Sequence, residues 1–210
     1  MILYLVRHGE TTFNAEGRVQ GQLDTPLSAL GHRQGHAVVS AFHDVPIDAI
    51  YSSPLSRARE TAQAAADLLR LPLVTDDRLM EVNAGVFQGH TWPEISAQWP
   101  DAAVAWKAQD PDFCIPQGES RRALMLRAKE IFEHIRQQPF QHVLVIAHGG
   151  VLTAALKALI NVPAERNPFS LYNGSISMVD WTAQFRLLTL NQLDHLRAEG
   201  LELRSRTGDL

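Results

Sequence analysis

A single cysteine, Cys114, stands in a chain of 210 residues. One thiol excludes an internal disulfide, a Cys-x-x-Cys redox pair and a thiolate-rich zinc site, and fits a reducing compartment. It lies in a proline-flanked loop without the pattern of a catalytic thiol and reads as a bystander. Long apolar runs are missing as well: no stretch approaches the ~18 residues of a membrane span. The first six residues are too short for a signal-peptide core and run straight into charge. A large charge excess is also missing. Lys and Arg total 19 against 23 Asp and Glu, a formal net charge of -4, which argues against a general nucleic-acid or membrane binder. The expected location is cytoplasmic. There is no Gly-x-x-x-x-Gly-Lys-Ser/Thr, no Gly-x-Gly-x-x-Gly and no Gly-x-Ser-x-Gly, so nucleotide-cofactor and serine-hydrolase readings lack support. Nine histidines raise the question of a metal. They bring no clustered carboxylates and no third ligand near His32 and His36, which are spaced like surface residues of one helix. No metal and no cofactor are expected.

What is present is concentrated at the start. The run Ile2-Leu3-Tyr4-Leu5-Val6 ends abruptly in Arg7-His8-Gly9-Glu10. A short apolar run stopped by glycine reads as a buried strand. It delivers a guanidinium and an imidazole to the strand's carboxyl end, where open α/β sheets bind ligands. The pattern recurs at Val143-Leu144-Val145-Ile146-Ala147, followed by His148-Gly149-Gly150.

Between these, the polar, glycine-containing stretch from Ala15 to Pro26 reads as a loop. A helix is expected from Ser28 to Phe42, weakened by Gly31 and Gly35. Asp48–Tyr51 is a second strand. A helix then begins with Ser53 as cap and Pro54 at its first position. Arg57 and Arg59 lie near this N-terminus, where the helix dipole disfavours cations. A bound anion would reverse that cost at Arg57, while Arg59 reads as solvent-facing. Leu71–Val74 is a weak third strand, and Asp77 to Gly89 is irregular. Thr91-Trp92-Pro93-Glu94 is a capped helix start. Helices are expected at 95–98, 101–109 and 119–137, then one at 151–160. Two late strands, 173–181 and 185–190, would form a hairpin near Thr182-Ala183; the last twenty residues are polar. Strands alternating with helices imply an α/β fold, a three-layer α/β/α sandwich with a mainly parallel sheet. The whole of 1–210 reads as one domain, with a helical lid insertion at about 85–138.

If the strands are sheet neighbours, Arg7, His8, Arg57 and His148 converge. Guanidiniums, imidazoles and helix N-termini make a pocket for a tetrahedral dianion, for which phosphate is the natural candidate. Asn14, Gln20 and backbone N–H groups near Gly21 and Gly149 could complete its oxygen shell. A histidine aimed at phosphorus can act as nucleophile, and the leaving alcohol then needs an acid. Glu81, in the irregular stretch before the lid, is the carboxyl group to consider, against the alternative of an exposed loop glutamate.

Leu5-Val6-Arg7-His8-Gly9-Glu10-Thr11 resembles the signature of the histidine phosphatase superfamily, in the branch that includes cofactor-dependent phosphoglycerate mutases. Four more segments match in order: Gln20-Gly21 to Ser28, Ser52 to Ala58, Pro116 to Ser120, and Ala147 to Gly150. The resemblance implies that His8 is the phosphorylated nucleophile and that Arg7, Arg57 and His148 bind the phosphoryl group. It implies that Glu81, in Glu81-Val82-Asn83-Ala84-Gly85, is the acid-base residue and that no metal is needed. Val82 and Ala84 depart from the mutases, which carry arginine and tyrosine there. Lys107 is the lone cation from Asp101 to Ser120, so the chain looks more like the broad phosphatases. Trp92, Trp99, Trp106 and Phe113 either pack the lid on the sheet or rim the pocket. The expectation is a metal-independent phosphomonoesterase acting on a small phosphorylated metabolite, with neither nucleic acid nor membrane as partner. Its oligomeric state is open, a homodimer included. The rivals are a phosphoglycerate mutase and a catalytically idle phospho-ligand binding module.

Overall fold

The computed structural model describes residues 1–201. The chain opens with β1 (Ile2–Arg7), α1 (Thr12–Glu16), α2 (Ala29–Ser40), β2 (Ala49–Ser52), α3 (Ser56–Leu69) and β3 (Leu73–Thr75). Then come α4 (Trp92–Gln98), α5 (Pro100–Lys107), α6 (Arg121–Arg136), β4 (His142–Ala147) and α7 (Gly149–Leu159). The hairpin β5 (Ile176–Asp180) and β6 (Arg186–Gln192) and the short α8 (Asp194–Ala198) follow. One sheet has the order β3-β2-β4-β1-β5-β6. Its first four strands are parallel, and β5 and β6 add antiparallel at one edge.

β1 and β4 are buried along almost their whole length, which is why both read as unbroken apolar runs rather than alternating ones. Their side chains still divide by parity. Tyr4, Val6, Leu144 and Ile146 pack with Val38, Val39, Ala58 and Ala62 from α2 and α3. Leu3, Leu5, Val143 and Val145 pack with Leu124, Ile131, Leu152 and Leu156 from α6 and α7. The result is the three-layer α/β/α arrangement with a mainly parallel sheet. Ile95, Ala103 and Trp106 from α4 and α5 belong to this second core. Among the described residues, no helix is long and apolar enough to cross a membrane.

Three local expectations need correction. The loop after Asn14 begins inside α1: Thr11 and Asn14 form a reciprocal capping box, with asparagine in the place of the usual glutamate. Ser53 does not cap α3, which starts at Ser56 behind Leu55 with no side-chain cap of its own. The Ser53 hydroxyl is used by His148 instead, and Asp24 Oδ1 accepts from Ser56 N at 2.7 Å. The helix after β4 begins at Gly149, two residues earlier than its apolar pattern suggests. Gly31, unfavourable by propensity, has a packing reason: a Cβ there would collide with the Glu10 carbonyl oxygen. α2 therefore meets the turn after β1 backbone to backbone. The polar residues after 201 lie outside the described residues.

Candidate active site

β1 pairs with β4 so that Arg7 faces Ala147, and β4 pairs with β2 so that Ile146 faces Ser52. His8, His148 and Ser53 thus leave three adjacent strands side by side, and α3 and α7 start there. A cavity of ≈ 340 Å³ opens at this edge, lined by Arg7, His8, Gln20, Gly21, Arg57, Glu81 and Gly149 among others.

His8 is 2% exposed. Its Nδ1 lies 2.6 Å from the Gly9 carbonyl oxygen, so Nδ1 carries the proton and Nε2 keeps the lone pair. The loop that holds it is pinned by Asn173, whose Nδ2 donates to the carbonyls of His8 and Gly9, and by Gly174 N. His148 is fully buried, with its ring 5.0 Å from that of His8. Arg57 Nε donates to His148 Nδ1 at 3.2 Å, leaving His148 Nε2 to donate to Ser53 Oγ at 2.8 Å. Arg57 also donates to the carbonyls of Leu23 and Gly21, both at 2.7 Å. Burial pushes its pKa down to about 10, against the raising influence of Glu81 and Asp24. Arg7 Nη1 donates to Leu171 O at 2.5 Å. Gln20 Oε1 accepts from the hydroxyls of Thr11 and Thr25, which fixes a side chain that lines the cavity. Gly21 has φ +53, and a Cβ there would run into Gln88.

Burial, then the charges of Arg57 and Arg7, hold His8 well below the ordinary imidazole pKa. Burial and Arg57 do the same to His148. Both rings are therefore neutral at neutral pH. The unfolded chain takes up two protons near pH ~6.5 that the folded one refuses, so stability falls as pH drops below that value. It levels off only below the lowered folded pKa values. Each ring adds a slope of up to about 1.4 kcal/mol per pH unit. His8→Ala is expected to remove one such slope, read from urea-unfolding midpoints at a series of pH values below neutrality. An unchanged slope would show that His8 is protonated in the folded state.

Glu81 reaches the site from the irregular segment after β3. Its Oε2 accepts from Gly150 N at 2.9 Å, and Oε1 accepts from Val151 N at 3.1 Å and Val82 N at 2.8 Å. The carboxylate sits on the first turn of α7, where the dipole favours it. A Cβ at Gly150 would run into Glu81 Oε1 and push the carboxylate from this position. Arg127 of α6 fixes the segment by donating to the carbonyls of Arg78, Met80 and Glu81 while paired with Glu119. Glu81 is the only carboxylate among the described residues that line the cavity.

The expected residues thus fall into two groups. Arg7, His8, Gln20, Gly21, Arg57, Glu81 and Gly149 line the cavity; Asn14 and His148 stand behind it. Asn14 Oδ1 accepts from Thr11 and Asn173 and supports the loop carrying His8. Of the aromatic residues at 92, 99, 106 and 113, Trp106 alone lines the cavity. Trp92 and Trp99 pack on Phe87, and Phe113 packs on the core. Arg59, His32 and His36 are exposed, as is Cys114. Sequence reasoning missed Arg121, Arg127, Lys157 and Asn173. For Lys157 and Arg127 a signal was available: each is a charge set among the core positions of an apolar helix face.

The model of the histidine phosphatase superfamily (branch 1) matches residues 3–193. A Hydrogenobacter thermophilus protein provisionally named phosphoserine phosphatase 2 is 33% identical over 199 residues, covering 93% of this chain and 97% of its own. An Escherichia coli protein named probable phosphoglycerate mutase GpmB is 34% identical over 213 residues, with coverage of 95% and 97%. Among solved structures, the alpha-ribazole phosphatase of Shigella flexneri superposes with a TM-score of 0.85 at 30% identity, covering 91% and 96%.

Proposed function

The chain belongs to the histidine phosphatase superfamily, branch 1, and from that premise we propose a metal-independent phosphomonoesterase working through phosphohistidine on His8. The observation that carries this reading is the His8 tautomer. Its proton is committed to the Gly9 carbonyl, and two buried arginines, Arg57 and Arg7, lie close enough for their charges to act on the ring. Attack by Nε2 on phosphorus breaks the ester P–O bond, and Glu81 gives its proton to the departing oxygen. Water then attacks the phosphohistidine, Glu81 takes a proton back, and the P–N bond breaks to release inorganic phosphate. Arg7, Arg57, Gln20 and the N–H groups at Gly21 and Gly149 hold the equatorial oxygens. His148 acts through its neighbour: it accepts from Arg57 Nε and so orients that guanidinium. The lid expected over 85–138 is too long, because α6 is a layer of the sandwich packed on β1 and β4; the cover that selects the alcohol is the shorter stretch carrying α4 and α5, from which Trp106 reaches the cavity.

The fixed guanidiniums supply the charge that a metal would otherwise supply. Turnover of nitrophenyl phosphate is therefore expected to survive EDTA, and vanadate is expected to inhibit by taking the five-coordinate geometry of the transition state. Loss of activity on chelation, restored by one divalent ion, would overturn metal independence. The likeness to a mutase-named protein keeps a second reading in view, and 3- to 2-phosphoglycerate conversion with a bisphosphoglycerate primer tests it. Against it, Val82 and Ala84 are 3% and 0% exposed in the core; neither offers a polar group to a substrate.

A further inference from the structure

The cavity-lining side chains include four cations, Arg7, Arg57, Arg121 and Lys157, and one carboxylate, Glu81. A phosphoryl group bound at His8 answers Arg7 and Arg57. It leaves the other two unanswered. Arg121 is 9% exposed, with its guanidinium carbon 3.4 Å over the Trp106 ring. Its Nη1 is buried without a hydrogen-bond partner among the described residues. Lys157 is 5% exposed; its Nζ donates to Ala164 O at 2.8 Å, and an ammonium has further N–H donors to place. Asp110 and Glu165, the carboxylates whose fields reach this pair, are both exposed, and neither is ion-paired with it. Two buried cations near each other without an anion are costly, and the cost is relieved when a ligand supplies the anion.

The placement gives a distance. Gly149, Thr153 and Lys157 all line the cavity and are spaced four apart, so they form one stripe along α7. Eight residues at 1.5 Å put the Lys157 backbone roughly 12 Å beyond Gly149.

We infer that the end of the cavity walled by Trp106, Arg121 and Lys157 is a subsite for a second anionic group. The substrate is then a phosphate monoester that carries a carboxylate or a further phosphate several bonds from the ester. This rests on reading the His8 end as the phosphoryl site. It also places the cations of the second subsite on α6 and α7 rather than in the Asp101–Ser120 segment, where the sequence offers only Lys107.

The test is isothermal titration of the full chain with matched alkyl phosphonates of increasing length. They end in a carboxylate, a second phosphonate or a neutral amide. An anionic end is expected to tighten binding by on the order of ten- to a hundredfold over the amide at the best length, the range for charge-assisted hydrogen bonds. The carboxylate and phosphonate arms decide which anion fits. Arg121→Gln should collapse the preference, Arg121→Lys should restore part of it, and Lys157→Met should weaken it. Equal binding of all three ends by the wild type would overturn the inference, whatever the variants do. Hydrolysis of nitrophenyl phosphate, which has no second anion, reports separately on the phosphatase reading. Its absence alongside a clear anion preference would count against the chemistry and for the subsite.

Discussion

His8→Ala is expected to abolish turnover, by on the order of 10⁴–10⁶-fold, while the protein still binds phosphate. The size follows from the proposed role. An oriented lone pair forms the bond to phosphorus, and neither Arg7 nor Arg57 can replace it, because both are cations with no lone pair to give. His148 stands close enough to be considered as a substitute. Its Nδ1 accepts from Arg57 and its Nε2 faces Ser53, so no nitrogen is turned to the cavity. The fold should tolerate the change. His8 is buried but neutral, and the loop around it is held through backbone carbonyls by Asn173 and Gly174 rather than through the imidazole. Enzyme quenched in acid after incubation with phosphorus-labelled ester should carry label on His8, and the alanine variant should carry none. Substantial turnover by the variant, or label on another residue, would sink the phosphohistidine mechanism.

Much of this site was legible because its residues sit where the sequence changes character. Arg7-His8-Gly9 and His148-Gly149-Gly150 interrupt apolar runs, and an interruption at a strand end is a local signal. The parallel sheet was legible for the same reason, since β1 and β4 are buried on both faces. What stayed hidden is what depends on distant partners. Ser53 looks like a helix cap until His148, 95 residues away, takes its hydroxyl. Arg127 reaches the Glu81 carbonyl across 46 residues, and Asn173 reaches that of His8 across 165. No spacing rule finds such pairs. The cations opposite the phosphoryl end were missed for a simpler reason. The family resemblance draws attention to the Asp101–Ser120 segment, whereas Arg121 begins α6 and Lys157 lies near the end of the apolar face of α7.

Glu81→Gln is expected to slow hydrolysis of an ordinary alkyl phosphate by ~10²–10⁴-fold, the usual contribution of a positioned acid. Among the described carboxylates, Glu81 is the one that lines the cavity. Glu119 is held by Arg127, Glu94 is held by Arg18 and the Thr91 backbone, and Asp77 does not line the cavity. The carboxyl group of Glu81 lies on the first turn of α7, one residue from Gly149. An alkoxide cannot leave unless a proton arrives as the P–O bond breaks, whereas nitrophenolate is stable as an anion and needs little help. The loss in the phosphorylation step should therefore be large for the alkyl ester and small for nitrophenyl phosphate. The second step behaves differently. Attack of water on phospho-His8 needs a base, the same group serves, and the leaving alcohol has already gone. If that step limits turnover, both esters slow equally in the steady state, and the variant shows a burst of nitrophenol followed by slow release. Pre-steady-state measurement with both esters separates the steps. Equal loss in phosphorylation for both leaving groups would show that Glu81 is not the acid, and would leave its carboxylate with a structural role, capping α7 against Gly150 and Val151.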